Sequence, residues 1–363
     1  MRSAILSINK DYLQHNITTL KQHTRARLLA MVKANAYGHG VDAIVPYLGE
    51  VDGFGVACMA EALAVKACLD KSDTRPIVLI EGVFSELEWQ TATKENLMAV
   101  IHNAIQLEYA LQAPPPKDSK TRQVWLKLDS GMHRLGFDPE AIIAVAKRLI
   151  DKGYELILTS HFACADESRH PMNARQIKTF QNILAFLTYK FGNRIQASLC
   201  NSAGLFNFTD CHYDWVRPGI ALYGSSPLSD QSAQDLNLKP VMRLSAQVMA
   251  IHTLSSGESV GYGALWTAPV PTRVGIVSIG YGDGYPRVVQ NGKVGIHGRT
   301  YAIIGRVAMD MLAVDLEDSE VAIGDNVELW GDTISVDSVA RTANTLGYEL
   351  LCRTTQRPTR LVV

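Results

Sequence analysis

The chain has 363 residues, of which 47% are hydrophobic and 20% charged, and its formal net charge is −1. Such a composition is typical of a globular protein with room for one large domain and a smaller one. The balanced charge argues against nucleic acid or an anionic membrane as a partner. No apolar run approaches the ~20 residues that a membrane helix needs. The apolar core of residues 1–10 is too short for a signal peptide, so we expect a cytoplasmic protein.

The six cysteines contain no CxxC pair. A chain of this length needs no disulfides to stabilise its core. Free cysteine is among the most buried residue types, so we expect these residues to behave as small apolar side chains. We therefore predict neither a disulfide framework nor a metal site.

Strand-like runs and helix-like segments alternate through the first two-thirds of the chain. Residues 3–10 form a short run that we expect to join a later sheet. Eight further runs cover residues 27–33, 52–57, 75–82, 96–102, 123–130, 156–163, 194–202 and 214–224. Most of the intervals between them hold a helix-like segment, although the seventh interval is short. Strands that alternate with helices indicate a parallel sheet, and eight such units fit a (β/α)8 TIM-type barrel. A doubly wound open sheet is the alternative, weakened because no GxGxxG follows the first barrel strand.

The pattern changes near residue 236. Short runs with alternating hydrophobicity follow, separated by Gly, Ser and Pro, which is typical of antiparallel strands. Residues 335–347 predict a last helix that begins after a serine cap and stops at Gly347. We therefore divide the chain into an N-terminal strand (1–10) that joins the C-terminal domain, a barrel (11–235) and a mainly β C-terminal domain (236–363).

Polar side chains stand at or near the ends of the predicted barrel strands. They are Lys33, Glu81, His102, Lys127, Asp129, His161, Asn201, Ser202 and Arg217. The active site of a TIM-type barrel lies at the carboxyl ends of its strands. The sequence therefore predicts an active site there.

The stretch MVKANAYGHG (31–40) places Lys33 at the end of the first barrel strand. A partly desolvated lysine amine forms Schiff bases with aldehydes. Tyr37 follows, and Gly38 and Gly40 allow close backbone approach. The segments 201–204 and 217–220 lie where this fold usually binds phosphate. A lysine opposite a phosphate site suggests pyridoxal 5′-phosphate, with Arg217 reaching its pyridine nitrogen.

Eight motifs together resemble the alanine racemase family, whose members are fold-type III pyridoxal-phosphate enzymes. They are VKANAYGHG (32–40), LKLDSGMHRLGF (126–137), SHFACAD (160–166), NSAG (201–204), VRPGIALYG (216–224), VGYGALW (260–266), GYGDGYPR (280–287) and GRVAMD (305–310). The resemblance covers nearly the whole chain. It implies the interconversion of L- and D-alanine, either to supply D-alanine for peptidoglycan or to degrade alanine.

The resemblance also implies roles for individual residues. Lys33 would hold the cofactor and act as one base, and Tyr262 from a partner subunit would act as the other base. The cofactor would also contact Tyr37, His161, Asn201, Ser202, Arg217, Gly219 and Ile220. Arg134 and the partner's Met309 would bind the substrate carboxylate, and Lys127 matches a position that is often carbamylated. Tyr281, Tyr348, Asp166, Arg287 and Arg306 match residues along the substrate entrance. A homodimer with shared sites follows from these assignments.

Three alternatives stay open at this point. A broader amino-acid racemase of the same fold would differ in the pocket near Tyr348. A non-catalytic pyridoxal-phosphate-binding protein would not need the β domain that carries Tyr262. A decarboxylase of this fold type would use an acidic group at the pyridine nitrogen, where this chain has Arg217.

Overall fold

The computed structural model describes residues 3–192 and 195–363. The chain begins with strand β1 (Ile5–Ile8) and helix α1 (Lys10–His23). Asn9 caps α1, since its side chain accepts a hydrogen bond from the Tyr12 N–H at 2.9 Å. This cap stabilises the start of α1, the helix that connects β1 to the barrel.

Eight parallel strands form the barrel. They are β2 (Arg27–Met31), β3 (Gly53–Val56), β4 (Ile77–Leu79), β5 (Met98–Ile101), β6 (Gln123–Lys127), β7 (Glu155–Thr159), β8 (Ile195–Ser198) and β9 (Trp215–Val216). They pair in the order β8-β7-β6-β5-β4-β3-β2-β9. The ends of this sheet meet through a parallel bridge between Asn201 and Arg217. The prediction of a (β/α)8 barrel is confirmed.

Helical segments connect these strands. They are α2 (Lys33–Tyr37), α3 (Val41–Ile44), α4 (Met59–Ala67), α5 (Glu86–Glu95), α6 (Ala104–Gln112), α7 (Ala141–Asp151), α8 (Pro171–Phe191) and α9 (Ser202–Asn207). The strands bury most of their residues, which is typical of a parallel sheet covered by helices. No helix within the described ranges is long and apolar enough to cross a membrane.

Two predicted barrel strands differ in extent from the structure. The run 214–224 forms strand only at Trp215–Val216, because Pro218 has no N–H to donate to a ladder. The run 194–202 begins at Arg194, which lies outside the described residues, and its strand covers Ile195–Ser198.

The rest of the chain is mainly β. Its strands are β10 (Met242–Leu254), β11 (Ser259–Val260), β12 (Trp266–Thr267), β13 (Thr272–Val277), β14 (Lys293–Ile296), β15 (Arg299–Ile304), β16 (Leu312–Asp315), β17 (Asn326–Trp330) and β18 (Thr359–Val362). The main sheet has the order β13-β16-β15-β14-β17-β10-β1-β18, and β10 also pairs with β13. β1 lies between β10 and β18, so the first strand of the chain is part of this sheet.

The prediction of one helix over 335–347 is wrong in its second half. Ser335 caps α10 (Val336–Thr342), but that helix ends before Asn344, whose φ of +53° is left-handed. Gly347 instead begins α11 (Gly347–Cys352). A Cβ at Gly347 would lie 2.6 Å from Ser225 Oγ, so this glycine permits close contact with the end of the barrel.

Candidate active site

A cavity of about 660 Å³ lies at the carboxyl ends of the barrel strands. It is lined by eleven of the residues that the sequence assigned to a site. They are Lys33, Tyr37, Lys127, Arg134, His161, Asn201, Ser202, Arg217, Gly219, Ile220 and Tyr348. Residues from both ends of the chain therefore meet in one cavity.

The segment that begins with Lys33 is a left-handed helical turn. Ala34, Asn35, Ala36 and Tyr37 have φ values of 51°, 55°, 54° and 52°. None of them is glycine, and each such residue costs roughly 1–2 kcal/mol relative to the right-handed conformation. A strained backbone of this kind persists only where its surroundings fix it, and it is common at active sites.

Hydrogen bonds within the loop stabilise this turn. The Gly38 N–H donates to the Ala34 carbonyl at 3.0 Å, and the Asn35 side chain accepts the Val41 N–H at 2.9 Å. Asparagine tolerates the left-handed region better than most residues because its side chain can bond locally. The loop thus directs Tyr37 into the cavity immediately after Lys33.

The C-terminal part of the chain packs on the same loop. Arg360 donates from Nη1 to the Gly38 carbonyl at 2.8 Å. A Cβ at Gly38 would lie 2.0 Å from the Leu351 carbonyl oxygen, so only glycine permits this contact. The rings of Tyr37 and Tyr348 have centroids 6.1 Å apart. The close backbone approach expected at Gly38 is therefore made by α11.

The ends of β8 and β9 form a small polar recess beside Tyr37. The Ser202 Oγ accepts the Gly219 N–H at 2.8 Å, which leaves the hydroxyl hydrogen available to a ligand. Asn201 caps α9 by accepting the Gly204 N–H at 2.9 Å. A Cβ at Gly219 would lie 2.4 Å from the Tyr37 Oη, so the recess depends on this glycine. The free hydroxyl hydrogen of Ser202, with the Tyr37 hydroxyl beside it, suits a phosphate group.

Arg217 is buried at the base of the cavity, with 7% of its surface exposed. Its guanidinium donates to Ser198 Oγ and to the carbonyls of Ser160 at 2.5 Å and Leu199 at 3.2 Å. Nη2 also lies 3.4 Å from His161 Nδ1. Burial lowers the pKa of Arg217 to about 10, so this side chain stays charged at neutral pH. The bonds fix it in one orientation.

The cavity is strongly cationic. Its positively charged lining residues are Lys33, Lys127, Arg134 and Arg217, whereas Glu81 is the only carboxylate among the described lining residues. Desolvation, and then the charges of Arg217 and Arg134, lower the pKa of Lys127 to about 7. Desolvation and the same cations also lower the pKa of His161. This excess of positive charge suits an anionic ligand.

These residues fit pyridoxal 5′-phosphate. The recess beside Gly219 would take its phosphate, Lys33 carries an amine for its aldehyde, and Arg217 is a fixed cation for its pyridine nitrogen. Arg134 remains as a cation for a second anion such as a carboxylate.

Six of the residues that the sequence assigned to a site do not line this cavity in the single chain. They are Tyr262, Met309, Tyr281, Asp166, Arg287 and Arg306. Tyr262 is 71% exposed and Met309 is 53% exposed in the single chain. Asp166 accepts hydrogen bonds from Ser229 through its carbonyl, on the barrel side.

Most of these outlying residues share one face of the β domain. The Tyr281 N–H donates to the Ala308 carbonyl at 3.1 Å, which joins its loop to that of Met309. A Cβ at Gly305 would lie 3.1 Å from the Val260 carbonyl oxygen, which places the Tyr262 turn beside the same loop. We call residues 260–265, 280–284 and 305–311 the loop surface.

Sequence reasoning missed three residues that the structure places at or behind the site. Cys352 lines the cavity. Gln176 is fully buried and donates to the His161 carbonyl at 2.9 Å. Glu61 accepts the Ala34 N–H at 2.8 Å. Of these three residues, only Glu61 has a recognisable sequence signal. It is an acidic residue in the first turn of a helix, a position that commonly binds free N–H groups.

Comparison with known proteins identifies the family. Residues 8–227 match the model of the alanine racemase N-terminal domain, and residues 241–362 match that of its C-terminal domain. The chain is 51% identical to an alanine racemase of Psychrobacter sp. over the full length of both proteins. It is 47% identical to the biosynthetic alanine racemase of Pseudomonas aeruginosa, with 99% of each protein covered.

The chain belongs to the alanine racemase family. Its fold is similar to that of the Acinetobacter baumannii alanine racemase, with a TM-score of 0.94, 42% identity and full coverage of both chains. An alanine racemase of Bartonella henselae with covalently bound pyridoxal phosphate gives a TM-score of 0.88 at 30% identity, also with full coverage of both chains. The family predicted from the sequence is thus confirmed.

Proposed function

We propose that this chain is an alanine racemase that interconverts L- and D-alanine with pyridoxal 5′-phosphate. The observation that supports this most is the single cavity that joins Lys33, the recess at Gly219 and the buried Arg217. Both domains of the chain also match the same family. The activity would supply D-alanine for peptidoglycan or degrade alanine.

The proposed cofactor site uses residues from several strand ends. Lys33 would bind the cofactor covalently, and Tyr37, Ser202, Gly219 and Ile220 would hold its phosphate. When bound, pyridoxal 5′-phosphate withdraws electrons from Cα of the substrate and so acidifies the Cα proton. Arg217 moderates this effect, because a cationic partner leaves the pyridine nitrogen unprotonated. Arg217 would thereby limit side reactions such as transamination.

Racemisation requires one base on each face of Cα. Lys33 supplies the base on one face, and we assign Tyr262 to the other. Tyr262 does not line the cavity of its own chain, so the proposal requires a second copy of the chain. In a head-to-tail homodimer, the loop surface of each subunit would cover the cavity of its partner. The exposure of Tyr262 and Met309 in the single chain supports this arrangement.

Arg134 and the backbone of Met309 are assigned to the substrate carboxylate. Lys127 lies in the same cationic region, and a pKa of about 7 leaves much of its amine uncharged at neutral pH. The free amine can add to carbon dioxide, which forms a carbamate nitrogen–carbon bond and releases a proton. The resulting anion would orient Arg134, which restores charge balance beside the substrate.

The substrate entrance is assigned to Tyr281, Tyr348, Asp166, Arg287 and Arg306. Tyr348 lines both the cavity and a neighbouring cleft of about 610 Å³ between the barrel and the β domain. Bulky phenol rings at this point would favour a small side chain such as that of alanine.

A hybrid dimer tests the shared site. Lys33→Ala and Tyr262→Phe should each abolish most racemisation of alanine. When equal amounts of the two variants exchange subunits, half of the dimers are hybrids, and each hybrid has one site with both bases intact. Activity should therefore return to about one quarter of the wild-type value.

Two controls make this result decisive. Mixing either variant with itself must restore nothing, and wild-type protein must racemise alanine under the same conditions. If the hybrids stay inactive although subunit exchange is shown by mass spectrometry, then Tyr262 does not act across the subunit interface.

A further inference from the structure

The Glu61 carboxylate binds the backbone where the strained turn after Lys33 begins. Glu61 is the third residue of α4, and its two oxygens bind two different backbone segments. Oε1 accepts the Ala34 N–H at 2.8 Å, and Oε2 accepts the Ala57 N–H at 2.7 Å. Ala34 follows Lys33 directly, whereas Ala57 follows the last residue of β3. The carboxylate therefore connects the catalytic loop to the neighbouring strand.

We propose that Glu61 is a positioning residue for Lys33, which rests on the proposed role of Lys33 as catalytic base. β2 and β3 pair in parallel up to Met31 and Gly55. Beyond that point the chain enters the left-handed turn and can no longer continue the ladder. Where the ladder between β2 and β3 ends, Glu61 accepts the N–H groups of Ala34 and Ala57 in place of strand carbonyls. It thereby fixes the point at which the backbone of Lys33 leaves the strand.

The geometry requires a carboxylate and not merely a polar side chain. Two N–H donors point at Glu61, and a carboxylate offers an acceptor oxygen to each. In Glu61→Gln one oxygen becomes an NH2 group, which would face an N–H with another donor. The substitution keeps the shape of the side chain, but it loses one hydrogen bond and adds a repulsive contact.

Glu88 offers a matched control. It occupies the third position of α5, where its Oε2 accepts the Phe84 N–H at 2.8 Å. Glu88→Gln can still present its one oxygen to that single donor. Glu88 does not line the cavity. Each variant removes one negative charge from the first turn of a barrel helix, so the two differ mainly in the bridge to Ala34.

The first measurement uses the apoprotein and does not depend on activity. Hydrogen exchange is followed by mass spectrometry in a peptide that covers residues 32–40. Glu61→Gln should accelerate exchange in this peptide about tenfold, because the turn opens more often. Glu88→Gln should leave it unchanged. Equal exchange in both variants would overturn the proposal.

The second measurement is kinetic. Small displacements of a catalytic group cost up to about a hundredfold in rate, so Glu61→Gln should lower kcat for alanine roughly tenfold or more. KM should change little, because Glu61 does not line the substrate cavity. Glu88→Gln should stay within about twofold of wild type. A Glu61→Gln enzyme with normal kcat and only a lower thermal midpoint would reduce Glu61 to a structural role.

A rescue variant covers the case in which Glu61→Gln folds poorly. Ala34→Gly removes the Cβ that makes a φ of +51° costly, so the turn needs less external support. In the Glu61→Gln background it should recover part of the lost kcat and of the lost exchange protection. Absence of any rescue in a folded double variant would contradict the proposal. Failure of wild type to racemise alanine would instead overturn the proposed function and leave the exchange result standing.

Discussion

Gly219 provides the sharpest test of the cofactor recess. In Gly219→Ala, the new methyl group would lie 2.4 Å from the Tyr37 Oη and 3.0 Å from its Cζ. Ordinary contact between such atoms begins near 3.4 Å. Tyr37 would therefore have to move by about 1 Å. Its ring is already stacked on Tyr223, with centroids 4.9 Å apart, so it cannot move freely.

The expected cost follows from this crowding. Inserting one methyl group into a well-packed region costs about 1–3 kcal/mol. Part of this cost falls on the stability of the apoprotein, and the rest on the phosphate recess. If about half of it falls on binding, a loss of about 1.4 kcal/mol corresponds to a dissociation constant for pyridoxal 5′-phosphate that is about tenfold higher.

The assay is a titration of apoprotein with pyridoxal 5′-phosphate, followed by the visible absorption of the bound cofactor. Gly53→Ala is the control, because its methyl group would also be crowded, at 3.0 Å from Leu29 Cδ1, but it does not line the cavity. Thermal unfolding of both apoproteins separates stability from binding. If Gly219→Ala binds the cofactor within twofold of wild type, the recess is not the phosphate site.

Two further predictions concern the charged groups. In apoprotein kept free of carbon dioxide, where Lys127 carries a free amine, Lys127→Met should raise the free energy of unfolding most near pH 6. This advantage should be lost by about pH 10. The pKa of Lys127 is about 7 in the folded protein and 10.5 ordinarily. Between pH 7 and pH 10.5 the unfolded chain therefore binds one more proton at Lys127 than the folded protein does. The stability of the wild-type protein rises with pH across this range. The difference between the two pKa values corresponds to about 5 kcal/mol. Denaturant unfolding of wild type and variant from pH 6 to 10 measures it. A stability difference between wild type and variant that stays constant with pH would contradict the lowered pKa of Lys127. For Tyr262→Phe, kcat/KM must fall equally in both directions, because L- and D-alanine have equal free energy. The two enantiomers should differ instead in isotope exchange. The enantiomer whose Cα proton Lys33 removes should still exchange that proton with deuterated solvent. Equal loss of exchange from both enantiomers, followed by NMR, would refute separate bases.

Most of the fold was predictable because its signals are local. Each barrel strand is a short apolar run, and the carboxyl ends of parallel strands lie at the same end of the barrel. The sequence therefore predicts that Lys33, Arg217 and Ser202 lie near one another. In the structure all three line the same cavity.

The features that sequence reasoning missed depend on contacts between distant parts of the chain. Gly347 looks like a helix stop in sequence, but it serves close packing against Ser225. Four consecutive left-handed residues at 34–37 contradict the right-handed helical propensity of alanine, and contacts from distant parts of the chain add to the local hydrogen bonds that hold them. Glu61 and Arg360 supply two of these contacts from distant parts of the chain.

The bond from Arg360 to Gly38 links the loop after Lys33 to a residue 322 positions later. A ribosome synthesises the barrel long before β18, so the nascent barrel holds the loop after Lys33 without this hydrogen bond. The same strand lies beside β1, and thus the first and last strands of the chain join late in one sheet. Translation that stops before residue 360 leaves a barrel in which the loop after Lys33 lacks the hydrogen bond from Arg360.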